Sequence, residues 1–500
     1  MSEDYKRNNQ STFMVEQMEA SIEANEDDVA LSDTLIEEQR ATYDEIMSSV
    51  DTKDGGLFFV DGPGRTRKTY LYRALLATIH SQKKIAVATA TSGVAVSIMR
   101  GGRTAHSHFK IPLTIDNGAF CTFTKQSGTA KLLRASSLII WDEASMTKRQ
   151  SIEALGNSLR DIMDRLELSF GGKTVVFGGD FRQVLPIVWR VSRAQVVGAS
   201  LRMSYLWDSM RHLKLVRNMR AKSDLWFAEY LLRISGGSEE ATVDDEIRLP
   251  HDICVPHTGE DSDLDTLIDC IFLNLNANMS SKDYITSRAI LSMWNDWVDM
   301  NNMKMIGHFH EKEMVYHSFD YVVDDPHNYY PEEFHSTLTP NGLPPHVLKL
   351  KIGCSVILLR NIDPANGLCN GTRLIILGFQ KNTIDTEIVL GQHAGKQGQT
   401  IPNVGVYLPE PVFSHGHLYV ALSRATARSN IRILTVPAAK KDVNMGKGKG
   451  NGKKKATKDI FIKNIIYKED TSNYSFSHLH ASATRSQMPH LGLENLLDHH

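Results

Sequence analysis

A chain of 500 residues, 41% hydrophobic with a formal net charge of −2, is long enough for about three domains and too neutral for a uniformly basic nucleic-acid binder, so any basic surface must be local. Its five cysteines, at 121, 254, 270, 354 and 369, are scattered, odd in number and free of any C-x-x-C, which argues against a disulfide framework or zinc site and for a reduced compartment. No apolar run approaches membrane-spanning length and the start, MSEDYKRNNQ, is not a secretory signal, so a soluble intracellular protein with no membrane partner is expected.

In chain order, residues 1–32 are acidic and weakly periodic and are expected to be a disordered or loosely helical lead-in. A first α/β domain is expected over 33–213. Its opening strand, Leu57-Phe58-Phe59-Val60, runs into Asp61-Gly62-Pro63-Gly64-Arg65-Thr66-Arg67-Lys68-Thr69 and then a helical pattern, Tyr70 to Leu76. Strand, loop, helix is the context that the phosphate-binding pattern G-x-x-x-x-G-K-[ST] requires. Gly62, Pro63, Gly64, Thr66, Lys68 and Thr69 are therefore expected to hold ATP. Backbone N–H groups and a helix N-terminus face the triphosphate, Lys68 reaches its β/γ oxygens and Thr69 holds Mg²⁺. The second glycine of the pattern falls on Arg67.

Further strands, Lys84–Ala88, Ser137–Trp141 and Lys173–Phe177, alternate with helices and imply a parallel sheet covered on both faces. The second ends in Asp142-Glu143, two acids at the carboxyl edge of the sheet. Asp142 is placed to hold Mg²⁺ and Glu143 to activate the attacking water. The third leads to Gly178-Gly179-Asp180-Phe181-Arg182-Gln183, whose glutamine can link a γ-phosphate to a neighbouring polymer groove.

A second α/β domain is expected over 214–435, with strands Arg288–Leu291, Ser355–Leu359 and Leu418–Leu422 and a small β-barrel insertion within about 345–392. Arg220 and Arg424 follow two of its segments and could stabilise charge on a transferred phosphoryl group. His308-Phe309-His310-Glu311 lacks further ligands at useful spacing and reads as ordinary surface. From 436 to 500 the chain is a basic, low-complexity tail. Its run Gly446 to Lys455 is either a solvated linker or an import signal or nucleic-acid contact.

These segments together resemble the Pif-one (petite integration frequency) family of DNA helicases, in superfamily one, and in particular its plant and Helitron-like branch. The resemblance runs from Leu35 to Leu434. It rests on Leu35–Arg40, Ala90-Thr91-Ser92-Gly93-Val94-Ala95, Gly102–Ser107, Trp141–Ala144, Gly179–Gln183, Leu359-Arg360-Asn361, Asn370–Leu374 and Phe413-Ser414-His415-Gly416. It implies an α/β fold of two RecA-like P-loop domains with parallel sheets and an SH3-like insertion in the second. The implied activity is ATP- and Mg²⁺-dependent 5′–3′ translocation on single-stranded and forked DNA with duplex unwinding. Roles in DNA repair, recombination and telomere maintenance go with it; a monomer is expected, and the acidic N-terminus, with no Arg-rich leader, points to the nucleus, with the mitochondrion as the alternative.

By the same resemblance Gln39 reads adenine, Gln183 senses the γ-phosphate, and Arg220 and Arg424 complete the site. Ser92, His106, Phe109 and Thr400 lie along the DNA groove; Phe109 either stacks a base, worth ~1–3 kcal/mol, or belongs to the core. Two departures stand out. The family loop reads G-P-G-G-T-G-K-T, so Arg65 and Arg67 replace glycines that approach phosphate without a Cβ, which implies reduced or lost turnover. A segment is also missing near 391–396, leaving only Lys396-Gln397-Gly398-Gln399-Thr400 of a longer family motif. Two further readings are a catalytically inactive nucleic-acid-binding remnant and, more weakly, another P-loop class such as a small-molecule kinase.

Overall fold

The computed structural model describes residues 26–64, 66–96, 99–188, 191–216, 224–242, 244–279, 281–318, 346–359, 362, 368, 371–380, 383–389, 401–436 and 460–471. Arg65, Arg220, Thr400 and the junction at 391–396 lie outside them.

Runs that are apolar at every position suit strands covered on both faces, and the first lobe is built from them. Strands β1 (Gly56–Asp61), β2 (Ile85–Ala90), β3 (Arg103–Thr104), β4 (Ser136–Asp142), β5 (Thr174–Gly179) and β6 (Arg211–Lys214) form one sheet in the order β3-β2-β4-β5-β1-β6. Every pairing is parallel. The two-residue period of a strand divides its side chains between two cores. Leu57, Phe59, Ile139, Trp141, Val175 and Phe177 enter one. Phe58, Val60, Leu138, Ile140 and Val176 enter the other.

Helices α1 (Glu37–Thr52) and α2 (Lys68–Ser81) cover the second face with Tyr43, Ile46, Leu71, Leu75 and Ile79. The first face carries α3 (Ala105–Phe109), α4 (Gly128–Ala135) and α5 (Arg149–Ile162), through Phe109, Leu132, Leu133, Leu155 and Leu159. Because all strands run the same way, the phosphate loop after β1, the acids at the end of β4 and the Gly179-Asp180 turn after β5 meet at one edge.

The second lobe begins with α6 (Leu225–Gly236), β7 (Glu246–Arg248), α7 (Ser262–Ile271), β8 (Arg288–Ser292) and α8 (Asn295–His308). Strands β9 (Met314–His317) and β10 (Val347–Leu350) form an antiparallel pair. β11 (Ser355–Ile357), β12 (Arg373–Phe379) and β13 (Ile384–Ile388) make a small antiparallel sheet. β14 (Asn403–Leu408) is central to a parallel sheet in the order β15-β14-β8, where β15 is Ile431–Thr435.

The stretch Leu418–Leu422, expected as a strand, is instead part of helix α9 (His417–Leu422). A short apolar run fits a buried helix as well as a strand. Here Gly416, at φ 71°, turns the chain into the helix, and Leu418, Tyr419, Ala421 and Leu422 give it one buried face.

The tail also departs from expectation: residues 460–471 fold back onto the body. Strand β16 (Phe461–Lys463) pairs antiparallel with β7, and Ile462 enters the core of the second lobe. Beyond it, Tyr467 donates its N–H to His415 Nδ1 at 2.8 Å, the two rings stack, and Tyr467 packs against the first lobe's core. Arg193, of the first lobe, lies over the Tyr467 ring and pairs with Glu469. Ile462→Ala is expected to destabilise the fold by about 2–5 kcal/mol, the usual range for emptying a buried isoleucine site; denaturant unfolding measures it. A loss under half a kilocalorie would mean that this strand does not anchor the segment.

Candidate active site

The loop from Asp61 to Thr69 is shaped by contacts to three other elements. Gly62 has no room for a side chain, since a Cβ would lie 2.5 Å from Thr66 Oγ1. Gln39 of α1 is buried, accepts from Ile36 N at 3.4 Å and donates to the Thr66 carbonyl at 3.1 Å. The carboxamide expected to read adenine thus fixes the loop and the start of its own helix.

Gly64 N–H donates to Asp180 Oδ2 at 2.9 Å and is 3.1 Å from Tyr419 Oη, which reaches across from α9. Lys68 Nζ donates to the Gly62 carbonyl at 2.6 Å. Arg67, at the head of α2, has φ 60° and ψ 41°, the left-handed conformation that a side chain disfavours by ~1–3 kcal/mol. Its guanidinium lies 5.7 Å from the centre of the Tyr70 ring.

One cleft is lined by Lys68, Thr69, Asp142, Glu143, Asp180 and Gln183, with Pro63, Thr66 and Arg67 at its loop wall. Asp142 is buried, and its Oδ1 accepts the Glu143 N–H at 2.9 Å. Burial raises its pKa while Lys68 opposes the rise. Burial and the neighbouring Asp142 charge also raise the pKa of Glu143, against Ser92, Arg424 and Lys68. A carboxylate moved upward in this way is better matched to proton abstraction near neutrality. Asp180 is displaced the other way. Burial pushes its pKa up, but Arg182, 2.9 Å away, and Lys68 more than offset this and lower it, leaving a firm anion beside the loop. Gln183 Nε2 donates to that carboxylate at 3.4 Å.

From the second lobe, Arg424 is held among buried surroundings that lower its pKa, opposed by Glu143 and Tyr419. His415, fully buried, has Nε2 2.8 Å from the Phe181 carbonyl. Since Nδ1 accepts from Tyr467 N–H, Nε2 carries the proton and donates. Gly416 lies so close to the Arg182 and Gln183 backbone that a Cβ would meet the Arg182 carbonyl at 2.5 Å.

Thr69 and Asp142 bring a hydroxyl and a buried carboxylate to one cleft, a hard-oxygen donor set that fits Mg²⁺.

The expected DNA residues fare differently. Phe109 is fully buried, 5.7 Å from the Trp141 ring, so it belongs to the core and has no face for a base. His106 is half-buried on α3. Ser92 is half-buried, and its hydroxyl donates to Glu143 Oε2 at 2.7 Å. Asp180, Arg182 and Tyr419 were not singled out from sequence, although each lies inside a quoted motif; the signal available was their position beside Gln183 and Arg424.

Two family patterns match the chain, the PIF1-like helicase over residues 34–244 and the DNA helicase Pif1 2B domain over 333–379. The chain belongs to the Pif1-like helicase family. It is 22% identical over 441 residues to the ATP-dependent DNA helicase PIF1 of Danio rerio, covering 80% of this chain and 61% of that protein. Against the Homo sapiens PIF1 it is 23% identical over 453 residues, covering 80% and 60%. The chain therefore spans about three-fifths of these Pif1 relatives. In fold it matches the crystal structure of Candida albicans Pif1 (TM-score 0.53, 20% identity, 80% of this chain and 94% of that one). It also matches Bacteroides Pif1 in complex with ADP-AlF3 and ssDNA (TM-score 0.54, 20% identity, 83% and 95%). The α/β architecture is that of the Pif1 helicases, with RecA-like lobes.

Proposed function

We propose that the chain is an ATP-dependent DNA helicase that couples ATP hydrolysis to 5′–3′ movement on single-stranded DNA and to the opening of forked duplexes. The observation that carries this reading is the meeting of Lys68, Asp142, Glu143 and Gln183 at one cleft, with Arg424 of the other lobe acting on Glu143. In this reading Lys68 binds the β/γ phosphates and Thr69 and Asp142 hold Mg²⁺, which supplies charge neutralisation on the phosphates when bound. Glu143 takes a proton from the attacking water, Gln183 reports on the γ-phosphate, and Arg424, with Arg220, stabilises developing negative charge. The antiparallel sheet β11–β13 is read as the SH3-like insertion. Roles in repair, recombination and telomere maintenance, a nuclear location and a monomeric state complete the proposal.

A second reading, a nucleic-acid-binding remnant without turnover, is favoured by the loop itself. Arg67 stands in a glycine-like conformation, Lys68 is bonded to Gly62 and Asp180 occupies the Gly64 N–H. The test is ATP turnover with and without single-stranded DNA, in the full chain and in a form with Arg65→Gly and Arg67→Gly. Lys68→Ala serves as the control. DNA-stimulated turnover above the control in the unaltered chain supports the helicase. Turnover only in the glycine form supports the remnant, and turnover in neither removes the helicase reading.

A further inference from the structure

The Arg182–Gln183 turn is held from both lobes. On its own side, Asp180 accepts from the Arg182 side chain at 2.9 Å and from the Gln183 carboxamide at 3.4 Å. Phe181 is buried there, its ring 5.2 Å from that of Phe59. From the second lobe, His415 Nε2 donates to the Phe181 carbonyl at 2.8 Å. Gly416 lies against the turn, where a Cβ would meet the Arg182 carbonyl oxygen at 2.5 Å and that of Gln183 at 2.8 Å. Where Gln183 sits at the cleft therefore depends on where His415 and Gly416 sit.

The C-terminal segment seats both of them. Gly416 N–H donates to the Ile465 carbonyl at 3.1 Å, and Tyr467 N–H donates to His415 Nδ1 at 2.8 Å. Burial lowers the His415 pKa, with the Phe181 carbonyl opposing, so the ring is neutral, one nitrogen accepting and the other donating. The Tyr467 ring stacks on His415, with centres 5.2 Å apart and 29° between planes, which fixes the tilt of the imidazole. On the second lobe the segment is secured by β16 and by buried Asn464. The Asn464 N–H donates to the Asp245 carbonyl at 2.9 Å, and its carboxamide donates to the Ile234 carbonyl at 3.0 Å. On the first lobe, the Arg193 guanidinium lies 4.6 Å from the centre of the Tyr467 ring and pairs with Glu469. A cation–π contact and a half-exposed ion pair each hold weakly. The hold on the second lobe is the firmer, so Tyr467 travels with His415.

We infer that Tyr467 is a positioning residue of the nucleotide site, which acts through His415 and Gly416 to keep the Arg182–Gln183 turn where Gln183 meets a γ-phosphate. Tyr467 does not line the cleft, so its influence passes wholly through those neighbours. The inference rests on the reading of that cleft as an ATP site and adds a distant determinant of its preference for ATP over ADP.

The test measures affinity for ADP and for a non-hydrolysable ATP analogue, each with Mg²⁺, by displacement of a fluorescent nucleotide. It uses the full chain, unaltered and with Arg65→Gly and Arg67→Gly. A hydrogen bond to a charged phosphate is strong enough to set a preference of about tenfold. Tyr467→Ala should weaken binding of the ATP analogue by about that factor and leave ADP affinity unchanged. Tyr467→Phe, which keeps the ring, should retain the parent's preference. Gln183→Ala should lose the same preference, and the double variant should lose no more than either single one, as residues acting through one contact do. Should Tyr467→Ala not fold, Tyr467→Leu, which fills the site without a flat ring, takes its place, with melting temperature as the check. Equal weakening of both nucleotides, or losses that add in the double variant, would mean that the segment only braces the lobes and would overturn the inference. An unchanged preference, or a parent with none, overturns it equally. Binding of neither nucleotide in either background is the distinct failure of the ATP-site reading, and the inference falls with it.

Discussion

Glu143→Gln is expected to reduce ATP hydrolysis by about 10²–10⁴-fold, the usual worth of a positioned general base, with nucleotide affinity largely retained. Glutamine keeps the shape and can still accept from Ser92, but it cannot take a proton from water. The site favours a proton-accepting role because burial and Asp142 raise the carboxyl's pKa, while Lys68 and Arg424 keep its anion within reach. Single-turnover hydrolysis and titration with a fluorescent nucleotide separate the two effects. An equal fall in affinity and in rate would show that Glu143 supports binding and not chemistry.

Arg424→Ala is expected to lower kcat by about 10³–10⁵-fold, as loss of an arginine acting on a transferred phosphoryl group does. Arg424 follows α9, and the same helix carries Tyr419 to the Gly64 N–H. One rigid element therefore presents two groups of the second lobe to the site in the first. Any relative movement of the lobes must carry both together. Arg424→Lys keeps the charge but loses the planar fork, so it should recover only part of the rate. Melting temperature is the control, because removing the half-buried Arg424, whose charge acts on Glu143, leaves that acid less compensated. A kcat within about tenfold of the parent, with stability intact, would remove Arg424 from the chemistry.

Some of this was open to inspection in the linear chain. The strands β1, β2, β4 and β5 announce themselves as short apolar runs, and the loop and acid pair follow them directly. Local signals suffice there because a strand end and its next few residues are placed by chain connectivity alone. Phe109 shows the limit: an aromatic in a polar segment reads equally as a stacking surface or a core residue. Only the arrival of Trp141 from β4 decides between them.

What the amino-acid order by itself determined was the parallel first sheet, the edge where Lys68, Asp142, Glu143 and Gln183 meet, and the helicase resemblance. Each of these depends on short-range periodicity or on contiguous motifs. The tertiary structure alone decided that Leu418–Leu422 coils as a helix, that residues 460–469 return to bind both lobes, and that Asp180, Tyr419 and Ser92 engage the loop and the base. Those outcomes arise from partners distant along the chain, with Gly64 separated from Asp180 by 116 positions and from Tyr419 by 355. No local pattern encodes such pairings, because they form only when packing of the two cores brings the segments together.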